Sequence, residues 1–234
     1  MNLQECLDKL ARGKLSNLAI SSNGSIKSTA VPKVIDAINE GIARLYSQFP
    51  IKEGSVIVEL VEGRTEYELS SEHSIRNKVG DPVPDWEYYI RDTDEQPFED
   101  DIQVIYEVWD NWDRKRPLND PDTYLSVYTP EPNVIAVNSG IKCRVLNILY
   151  RAKHKLLTLD NLDENIELPV NLNGALLSYV AYLIHSDMNT EASSIAAQKY
   201  FSEYQAVVNE VIQYGSVTPD KLVSDFKFIR RGWV

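Results

Sequence analysis

The spacing of hydrophobic residues changes twice along this chain, and this change limits the folds that it can adopt. Over residues 31–48 the apolar side chains recur every three or four positions, which is the spacing of one helix face. Over residues 55–150 they alternate with polar side chains in short β-branched runs, which is typical of half-buried strands. The helical spacing returns over residues 170–214. The pattern predicts an α+β protein with strands inserted between helical segments.

The N-terminal helical segment carries recognisable start signals. Pro32 suits the first turn of a helix over 31–48, and Thr29 lies before it as a candidate cap. A shorter amphipathic helix is predicted over 2–11. Residues 13–29 are rich in Ser, Asn and Gly, so they are predicted to form a loop or a loose arm.

The C-terminal helical segment predicts two helices, over 170–186 and 191–214, whose short link favours antiparallel packing. Asn189 or Thr190 can cap the second helix. The apolar stripe predicted for the first helix consists of Leu172, Leu176, Tyr179, Val180, Leu183 and Ile184. The stripe predicted for the second consists of Ile195, Tyr200, Phe201, Tyr204, Val208, Val211 and Ile212.

The alternating region predicts five or six antiparallel strands arranged as a sandwich or a small barrel. Two of them, separated by Glu62 and Gly63, are predicted to pair as a β-hairpin. Along the last strand, Val145, Asn147 and Leu149 are expected on one side. The predicted strands cover residues 55–61, 65–69, 102–109, 124–128, 134–137 and 143–150.

These elements predict four parts. Residues 1–50 form an N-terminal arm and a bundle helix, and residues 51–158 form an inserted β-rich domain. Residues 159–214 form a C-terminal helix pair, and residues 215–234 form an extended tail. Because helix 31–48 has no strong helical neighbour in sequence, we expect its apolar stripe to pack on the C-terminal pair as a three-helix bundle.

Composition and charge exclude several classes of protein. The net charge of −11 argues against affinity for nucleic acid through phosphate neutralisation. Cys6 and Cys143 have no neighbours with metal-ligand spacing, so both are predicted to be reduced thiols in a cytoplasm. The N-terminus carries acids and lacks the apolar core of a signal peptide. No apolar run approaches the roughly 18 residues that a membrane span requires.

The chain also lacks the motifs that carry common enzyme chemistry. It contains no phosphate-binding loop, no dinucleotide fingerprint and no nucleophile elbow. Histidine, the most frequent general acid or base, occurs three times and is unclustered in sequence, as His73, His154 and His185. We therefore predict no catalytic residue, no metal site and no cofactor.

An acidic stretch over residues 81–113 has two interpretations. Oxygen ligands suit Mg²⁺ and Ca²⁺, so a metal-dependent hydrolase is one hypothesis, although the spacing is not that of an EF-hand. A solvated acidic loop, which repels DNA or docks on a basic partner, is the favoured one. The acidic residues are Asp81, Asp85, Glu87, Asp92, Asp94, Glu95, Glu99, Asp100, Asp101, Glu107, Asp110 and Asp113.

The end of the chain places large apolar groups beside basic ones. Aromatic residues and arginine are enriched at the energetic centres of protein interfaces. A binding tail and a tail that folds back onto its own helices are both compatible with this composition. The residues concerned are Phe226, Lys227, Phe228, Ile229, Arg230, Arg231 and Trp233.

The order of these elements and several short runs resemble a known family. A strand with the sequence CRVLNILYRA leads through an acidic link and IELP into helices that contain NGALLSYVAYLI and AQKYFSEYQAVVNEV. Upstream, VPKVIDAINEGIARLYSQFP matches a bundle helix, and VIYEVWD lies within a β-rich insertion. Over residues 28–214 the chain resembles the head-to-tail adaptor (connector) proteins of short-tailed bacteriophages, the tail-tubular-protein-A-like group.

The resemblance implies a structural virion protein of the neck or tail, made in the host cytoplasm, and not an enzyme. It implies a homo-oligomeric ring of twelve copies between the portal protein and the tail nozzle or next tail protein. DNA would pass through the ring without specific binding, and no membrane would be involved. By position, the tail residues from Phe226 to Trp233 would bind the portal. The alternatives are another neck or tail-completion protein, the metal-dependent hydrolase, or an unrelated binding module.

Overall fold

A computed structural model describes residues 1–77, 87–93, 96–139, 143–188 and 190–215. The chain divides into two compact units. Unit 1 contains Met1–Ile51 and the chain from His154 onward, and unit 2 contains Lys52–Lys153. The described residues form four α-helices and three antiparallel sheets, so the predicted α+β class is confirmed.

Unit 1 contains all four helices and one short hairpin. A 3-10 turn over Val170–Leu172 leads directly into the third helix. The helices are α1 (Leu3–Arg12), α2 (Val31–Gln48), α3 (Asn173–Ser186) and α4 (Glu191–Tyr214), and the hairpin strands are β1 (Ser21–Ser22) and β2 (Ser25–Ile26).

Helix α1 begins with a capping box. The Asn2 side chain accepts a hydrogen bond from the Glu5 backbone N–H at 2.7 Å, and the Glu5 carboxylate accepts one from the Asn2 N–H at 3.3 Å. This reciprocal pair satisfies two of the N–H groups that a helix start leaves unpaired. Leu3, Leu7 and Leu10 are buried, as their spacing predicts.

The segment after α1 is more ordered than a loose arm. Asn23 and Gly24 both have positive φ (52° and 76°), which is the backbone of a type I′ turn, and this turn joins β1 to β2. The carbonyl of Lys14 accepts a hydrogen bond from the Tyr200 hydroxyl at 3.2 Å. The Lys14 ammonium forms an ion pair with Glu203 of α4. The loop prediction missed an Asn-Gly hairpin signal and these anchoring contacts.

Helix α2 occupies the predicted residues but is not capped by Thr29. Ala30 stands at the N-cap position and makes no side-chain cap bond, so the predicted cap is wrong. A cap side chain normally accepts from the N–H of the second or third helical residue. Thr29 lies one position before this N-cap, and Pro32, the second helical residue, has no N–H to donate.

Helix α2 packs closely against α3 at a glycine. A Cβ at Gly41 would lie 2.8 Å from Leu176 Cδ1 and 3.4 Å from Tyr179 Cδ1. The Tyr179 ring in turn lies 5.0 Å from that of Tyr204 on α4. The Tyr204 hydroxyl donates to the Gln48 side chain of α2 at 2.8 Å. The three helices therefore share one hydrophobic core.

The buried stripe of α4 differs from the predicted one at two positions. Tyr204, Val208 and Val211 are buried, but Ile195 and Ile212 are 63% and 62% exposed, so their assignment to the core is wrong. At about 100° per residue, Ile195 lies opposite Tyr204, whereas Ile212 lies about 80° from Tyr204, at the edge of the buried side. Thr190 caps the helix by accepting from the Ser193 N–H at 3.2 Å, whereas Asn189 lies outside the described residues.

Unit 2 contains eight described strands in two sheets. One sheet has five strands in the order β5-β3-β10-β6-β7, and the other has three in the order β4-β9-β8. Both sheets contribute to one hydrophobic core. The strands are β3 (Glu53–Glu59), β4 (Glu66–Glu68), β5 (Ile90–Arg91), β6 (Ile102–Asp110), β7 (Lys115–Arg116), β8 (Val127–Glu131), β9 (Val134–Val137) and β10 (Val145–Ala152).

Three strand predictions need correction. The first two predicted strands do not form a hairpin, because β3 pairs with β5 and β10 while β4 pairs with β9. Strand β8 begins at Val127 and continues through the predicted turn to Glu131. Eight strands occur instead of five or six, since two-residue strands such as β5 and β7 carry no detectable periodicity. Local alternation marks strands but does not specify their partners.

The central strand β10 confirms the predicted alternation. Leu146 and Ile148 point into the core between the sheets, and the odd-numbered residues occupy the opposite face. The chain enters unit 2 at Lys52 and leaves it beside that point, since the Ala152 N–H donates to the Lys52 carbonyl at 2.9 Å. Unit 2 is thus an insertion that starts and ends at one end of its sheet.

We expect Gly41→Leu to lower the free energy of unfolding by about 1–3 kcal/mol, because the added side chain overpacks the contact with Leu176. Gly174→Ala is the matched control, since nothing lies within 4 Å of its added Cβ. A glycine-to-alanine change in a helix stabilises by up to roughly 1 kcal/mol. Urea denaturation measures both. Equal effects of the two variants would contradict the close α2–α3 contact.

Candidate interaction surfaces

The predicted portal-binding tail lies outside the described residues. This holds for every tail residue named above, Phe226, Lys227, Phe228, Ile229, Arg230, Arg231 and Trp233. Their assignment therefore stays a prediction from sequence, and the surfaces described below are formed by other parts of the chain.

The described carboxylates of the acidic stretch are used in internal contacts. Asp92 accepts from the Phe98 N–H at 3.0 Å and lies 3.6 Å from the Arg76 guanidinium. Asp101 accepts from the Tyr150 hydroxyl at 2.9 Å and pairs with Lys52 at 3.2 Å. Asp81, Asp85, Asp94 and Glu95 lie outside the described residues. These contacts do not support the hydrolase hypothesis, because they neutralise carboxylates that a metal site would need.

The histidines also lie in separate structural contacts. His73 is stacked on Tyr89 with centroids 4.6 Å apart, and His154 accepts from the Glu167 N–H at 3.1 Å. His185 is buried, with Nε2 3.3 Å from the Lys14 carbonyl. In the part of the chain that the structure describes, no three His, Cys, Asp or Glu residues are grouped to hold a metal ion, and no helix has the length and apolarity of a bilayer span.

The turn between β6 and β7 is organised by a buried carboxylate. Asp110 is fully buried and accepts from the backbone N–H groups of Trp112 and Arg114 at 2.8 and 3.0 Å. Its other oxygen accepts from the Arg116 guanidinium at 2.7 Å. The turn presents Trp112, which is half exposed, beneath the Arg114 guanidinium at 4.8 Å. A rigid turn with an exposed Trp and Arg has the composition of an interface contact.

The ionisation of Asp110 supports this turn. Burial by itself raises the pKa of Asp110, but the N–H groups of Arg114 and Trp112 and the charges of Arg116 and Arg114 bring that pKa below its ordinary value. A carboxyl with a lowered pKa stabilises the folded state above its unfolded pKa of about 4. That stabilisation is lost as the pH falls through the lowered pKa.

The five-stranded sheet has one face outside the core of unit 2, which we call the open sheet face. On this face Ile57 and Val104 are 36% and 45% accessible to solvent, whereas Asn147 and Leu149 on the central strand are buried. Strand register brings Asn147 between Ile57 and Trp109. The open sheet face is defined by Ile57, Val104, Trp109, Val145, Asn147 and Leu149.

The charged residues around the open sheet face neutralise one another. The Arg91 Nε donates to Glu59 at 2.9 Å at one edge. At the other edge the Lys115 ammonium donates to Glu107 at 2.6 Å. The second oxygen of Glu107 accepts from the Trp109 indole N–H at 2.9 Å. The face is therefore an apolar centre with paired charges at its borders, unlike the strongly acidic chain as a whole.

Asn147 is an exception at the centre of this face. Only 3% of the residue is exposed, and its Oδ1 has no hydrogen-bond partner among the described residues. A buried amide oxygen without a donor costs roughly 1–3 kcal/mol of stability. Because the Oδ1 atom is buried, it does not offer its acceptor to solvent.

Helix α4 carries a second unusual surface, which we call the α4 stripe. Its residues are all exposed and follow at steps of three and four, so they lie along one side of the helix. Isoleucines stand at both ends, and the residues between them have amide or hydroxyl side chains without charge. The α4 stripe consists of Ile195, Gln198, Ser202, Gln205, Asn209 and Ile212.

Comparison with known families decides what kind of protein carries these surfaces. A family model described as SU10 adaptor protein matches residues 1–221. The chain belongs to the SU10 adaptor family. This is a family of phage head-to-tail adaptors, which confirms the predicted resemblance and gives the adaptor a structural role. A search of curated proteins found no match to the chain.

Sequence reasoning missed both surfaces of the adaptor, although each leaves a signal. In α4, Ile212 follows the buried Val208 by four positions, so helical spacing assigned it to the core, whereas Ile195 is nine positions from Tyr204 and faces the opposite side of the helix. In β10 a single amide interrupts an otherwise apolar strand. Only strand pairing shows that this amide lies between Ile57 and Trp109, on the face of the sheet outside the core of unit 2.

We expect Asp110→Asn to lower the free energy of unfolding by about 3–5 kcal/mol at pH 7, because Arg116 then remains buried without its counter-charge. The difference from the wild type should shrink as the pH falls below about 4, where the unfolded chain takes up a proton at this carboxyl, and should be smallest below the lowered pKa of Asp110 in the folded protein. Urea denaturation at pH 7 and at low pH measures this. Asp113→Asn, an exposed site in the same turn, is the control, and a difference independent of pH would contradict the role of the Asp110 charge.

Proposed function

We propose that the adaptor forms a ring of twelve copies at the head-to-tail junction of a phage and that DNA passes through this ring. The observation that carries the proposal is the family match over residues 1–221 of a 234-residue chain. In this proposal residues 1–50 and 159–214 supply the helical bundle of each subunit. Residues 51–158 supply its inserted β-sandwich or small barrel.

The proposed partners follow from the position of an adaptor. One side of the ring binds the portal protein, and the other binds the tail nozzle or the next tail protein. The subunit is made in the host cytoplasm and resides in the neck of the virion. Identical subunits that contact one another through two unlike surfaces form a closed ring when a whole number of the rotations between neighbours completes a full turn.

The charge of the subunit supports passage of DNA. A conduit must let the duplex slide, and a net charge of −11 opposes tight binding to phosphates. Within unit 2, the carboxylates of Asp92, Asp101 and Asp110 each form an ion pair with a basic side chain. We therefore assign the adaptor no sequence-specific contact with DNA.

The portal contact is proposed to lie in the C-terminal tail. Phe226, Phe228 and Trp233 supply aromatic groups, and Arg230 and Arg231 supply bidentate donors for carboxylates. Lys227 and Ile229 stand between them. The combination suits a portal groove that is apolar at its centre and acidic at its border.

We expect the isolated adaptor to be monomeric or weakly associated and to form dodecameric rings when it is mixed with purified portal. Negative-stain imaging of the mixture and mass photometry of the adaptor alone measure the two states. An adaptor that stays unassembled on an intact portal would overturn the proposal. Cryo-electron microscopy of virions tests the location, since a neck or tail-completion protein elsewhere would appear at another axial level.

We expect deletion of residues 222–234 to weaken portal binding at least tenfold, because it removes the whole aromatic and basic group. Affinity for immobilised portal measures the effect. Thermal unfolding serves as the control for folding, since residues 1–215 up to the end of α4 are retained. Unchanged affinity of the truncated protein would show that the portal contact lies elsewhere.

A further inference from the structure

We propose that the turn between β6 and β7 of one copy docks on the three-stranded sheet of a neighbouring copy and that this contact joins adjacent subunits of the ring. This inference rests on the proposed ring and adds the surfaces that form it. The turn consists of residues 111–114, and we call it the Trp112 turn. Its partner is the outer side of β4 and β9, which we call the β4 acidic face and define by Glu66, Glu68, Val134 and Ala136.

The Trp112 turn holds its exposed side chains in a fixed position. Asp110 accepts hydrogen bonds from the N–H groups of Trp112 and Arg114, and its own N–H donates to the Arg114 carbonyl at 3.0 Å. The Asn111 side chain accepts from the Arg144 N–H at 3.3 Å, which ties the turn to the residue before β10. Trp112 is 51% exposed, beneath the guanidinium of Arg114. A large side chain that is ordered before binding loses little entropy on contact, so the turn is suited to protein binding.

The chemistry of the Trp112 turn selects an acidic partner that also has an apolar part. Arg114 and Arg144 are both exposed. The Arg114 Nε lies 3.3 Å from Asp110, whereas its two terminal nitrogens have no hydrogen-bond partner among the described residues. A guanidinium binds a carboxylate through two parallel hydrogen bonds, and an exposed indole ring gains most from an aliphatic surface that covers it. The turn therefore fits a surface on which carboxylates stand beside aliphatic side chains.

The β4 acidic face has this chemistry. Glu66 and Glu68 are exposed on the same side of β4, because Tyr67 between them is fully buried on the other side. Neither carboxylate forms an ion pair within the described part of the chain, so their like charges repel each other. Strand register places Ala136 beside Glu66 and Val134 beside Glu68, and both aliphatic residues are partly exposed. An arginine from another copy relieves the repulsion, and the indole ring covers the aliphatic pair.

The two surfaces lie on opposite sides of unit 2, so one copy cannot bring its own pair together. Strand β4 lies beside β5, since the hydroxyl of Tyr89, the residue before β5, donates to the Glu68 carbonyl at 2.8 Å. The turn leads into β7, and the chain then reaches β8 through the bridge between Leu118 and Val127. Strands β5 and β7 are the two edges of the five-stranded sheet, roughly 19 Å apart. Each copy thus offers two unlike surfaces on opposite sides, which is the arrangement that a closed ring requires.

Charge reversal on each surface tests the contact directly. The turn variant carries Arg114→Glu and Arg144→Glu, and the face variant carries Glu66→Arg and Glu68→Arg. We expect each variant alone to need roughly tenfold or more protein to form rings on portal, because like charges then meet at every contact. An equimolar mixture should form rings at the wild-type concentration. When the two variants alternate around the ring, reversed turns meet reversed faces and unchanged turns meet unchanged faces. Negative-stain imaging on portal measures ring formation.

A substitution of the indole ring gives an independent test that leaves the charges in place. Trp112→Ala should also raise the protein needed for rings roughly tenfold or more, because the aromatic anchor of the contact is lost. Mixing it with the turn variant should give no rescue, since both defects lie on the same surface. Tyr124→Ala, at another exposed aromatic residue of unit 2, and Lys153→Glu, at another exposed basic residue, are the controls and should assemble like the wild type.

Thermal unfolding of each isolated variant separates a lost contact from a lost fold. Trp112→Ala keeps the backbone hydrogen bonds to Asp110, so it remains informative if Arg114→Glu unfolds the turn. Two folded variants whose mixture forms no rings would overturn the inference, as would normal assembly of Trp112→Ala. Normal Trp112→Ala rings that fail to join the tail nozzle or to retain DNA would assign the turn to that partner instead. A wild-type protein that forms no rings on portal would refute the proposed function itself.

Discussion

The fold of this adaptor depends on contacts between segments that lie more than one hundred residues apart in the chain. Asn39 of α2 exchanges two hydrogen bonds with the backbone of Leu157, both at 3.0 Å. The Tyr46 hydroxyl donates to the Glu167 carbonyl at 2.7 Å, and Gly41 lets α3 approach α2. Without these contacts α2 would lose its packing against the C-terminal part of unit 1. The chain can leave unit 1 to form unit 2 and return to unit 1, because β3 and β10 pair where the chain enters and leaves unit 2.

Charge is distributed so that the open sheet face and the α4 stripe stay neutral. The described carboxylates of the acidic stretch are used to hold turns and to form ion pairs, as Asp110 does with Arg116. Glu107 and Glu59 have basic partners at the borders of the sheet. In the proposed contact between copies, arginines of one subunit meet carboxylates of the next, so like charges are not forced together although the net charge is large. In the proposed ring, the same net charge opposes tight binding to DNA phosphates.

Predictions that depend on neighbours close in sequence agreed with the structure, whereas several that depend on distant parts of the chain did not. The limits of α2 and α4, the short helix α1 and the alternation along β10 agree with the sequence patterns, because each depends on neighbours within a few residues. The predicted hairpin was wrong, since pairing of β3 and β4 is decided by competing strands far along the chain. Thr29 failed as a cap because the helix begins one residue later, with Ala30 at the N-cap position. Ile212 was assigned to the core because it follows the buried Val208 by four positions. Ile195 was included with the apolar residues, although its spacing from Tyr204 places it on the opposite side of the helix.

The sequence by itself determined the α+β class, the order of helical and strand segments and the resemblance to head-to-tail adaptors. These follow from local periodicity and from the sequence of elements, which need no knowledge of long-range contacts. The tertiary structure decided which strands share a sheet, that Asn147 lies between Ile57 and Trp109, and that one side of α4 stays uncovered. Exposure is a property of all neighbours in space together, so the side chains that remain on the surface are decided only when the chain is folded.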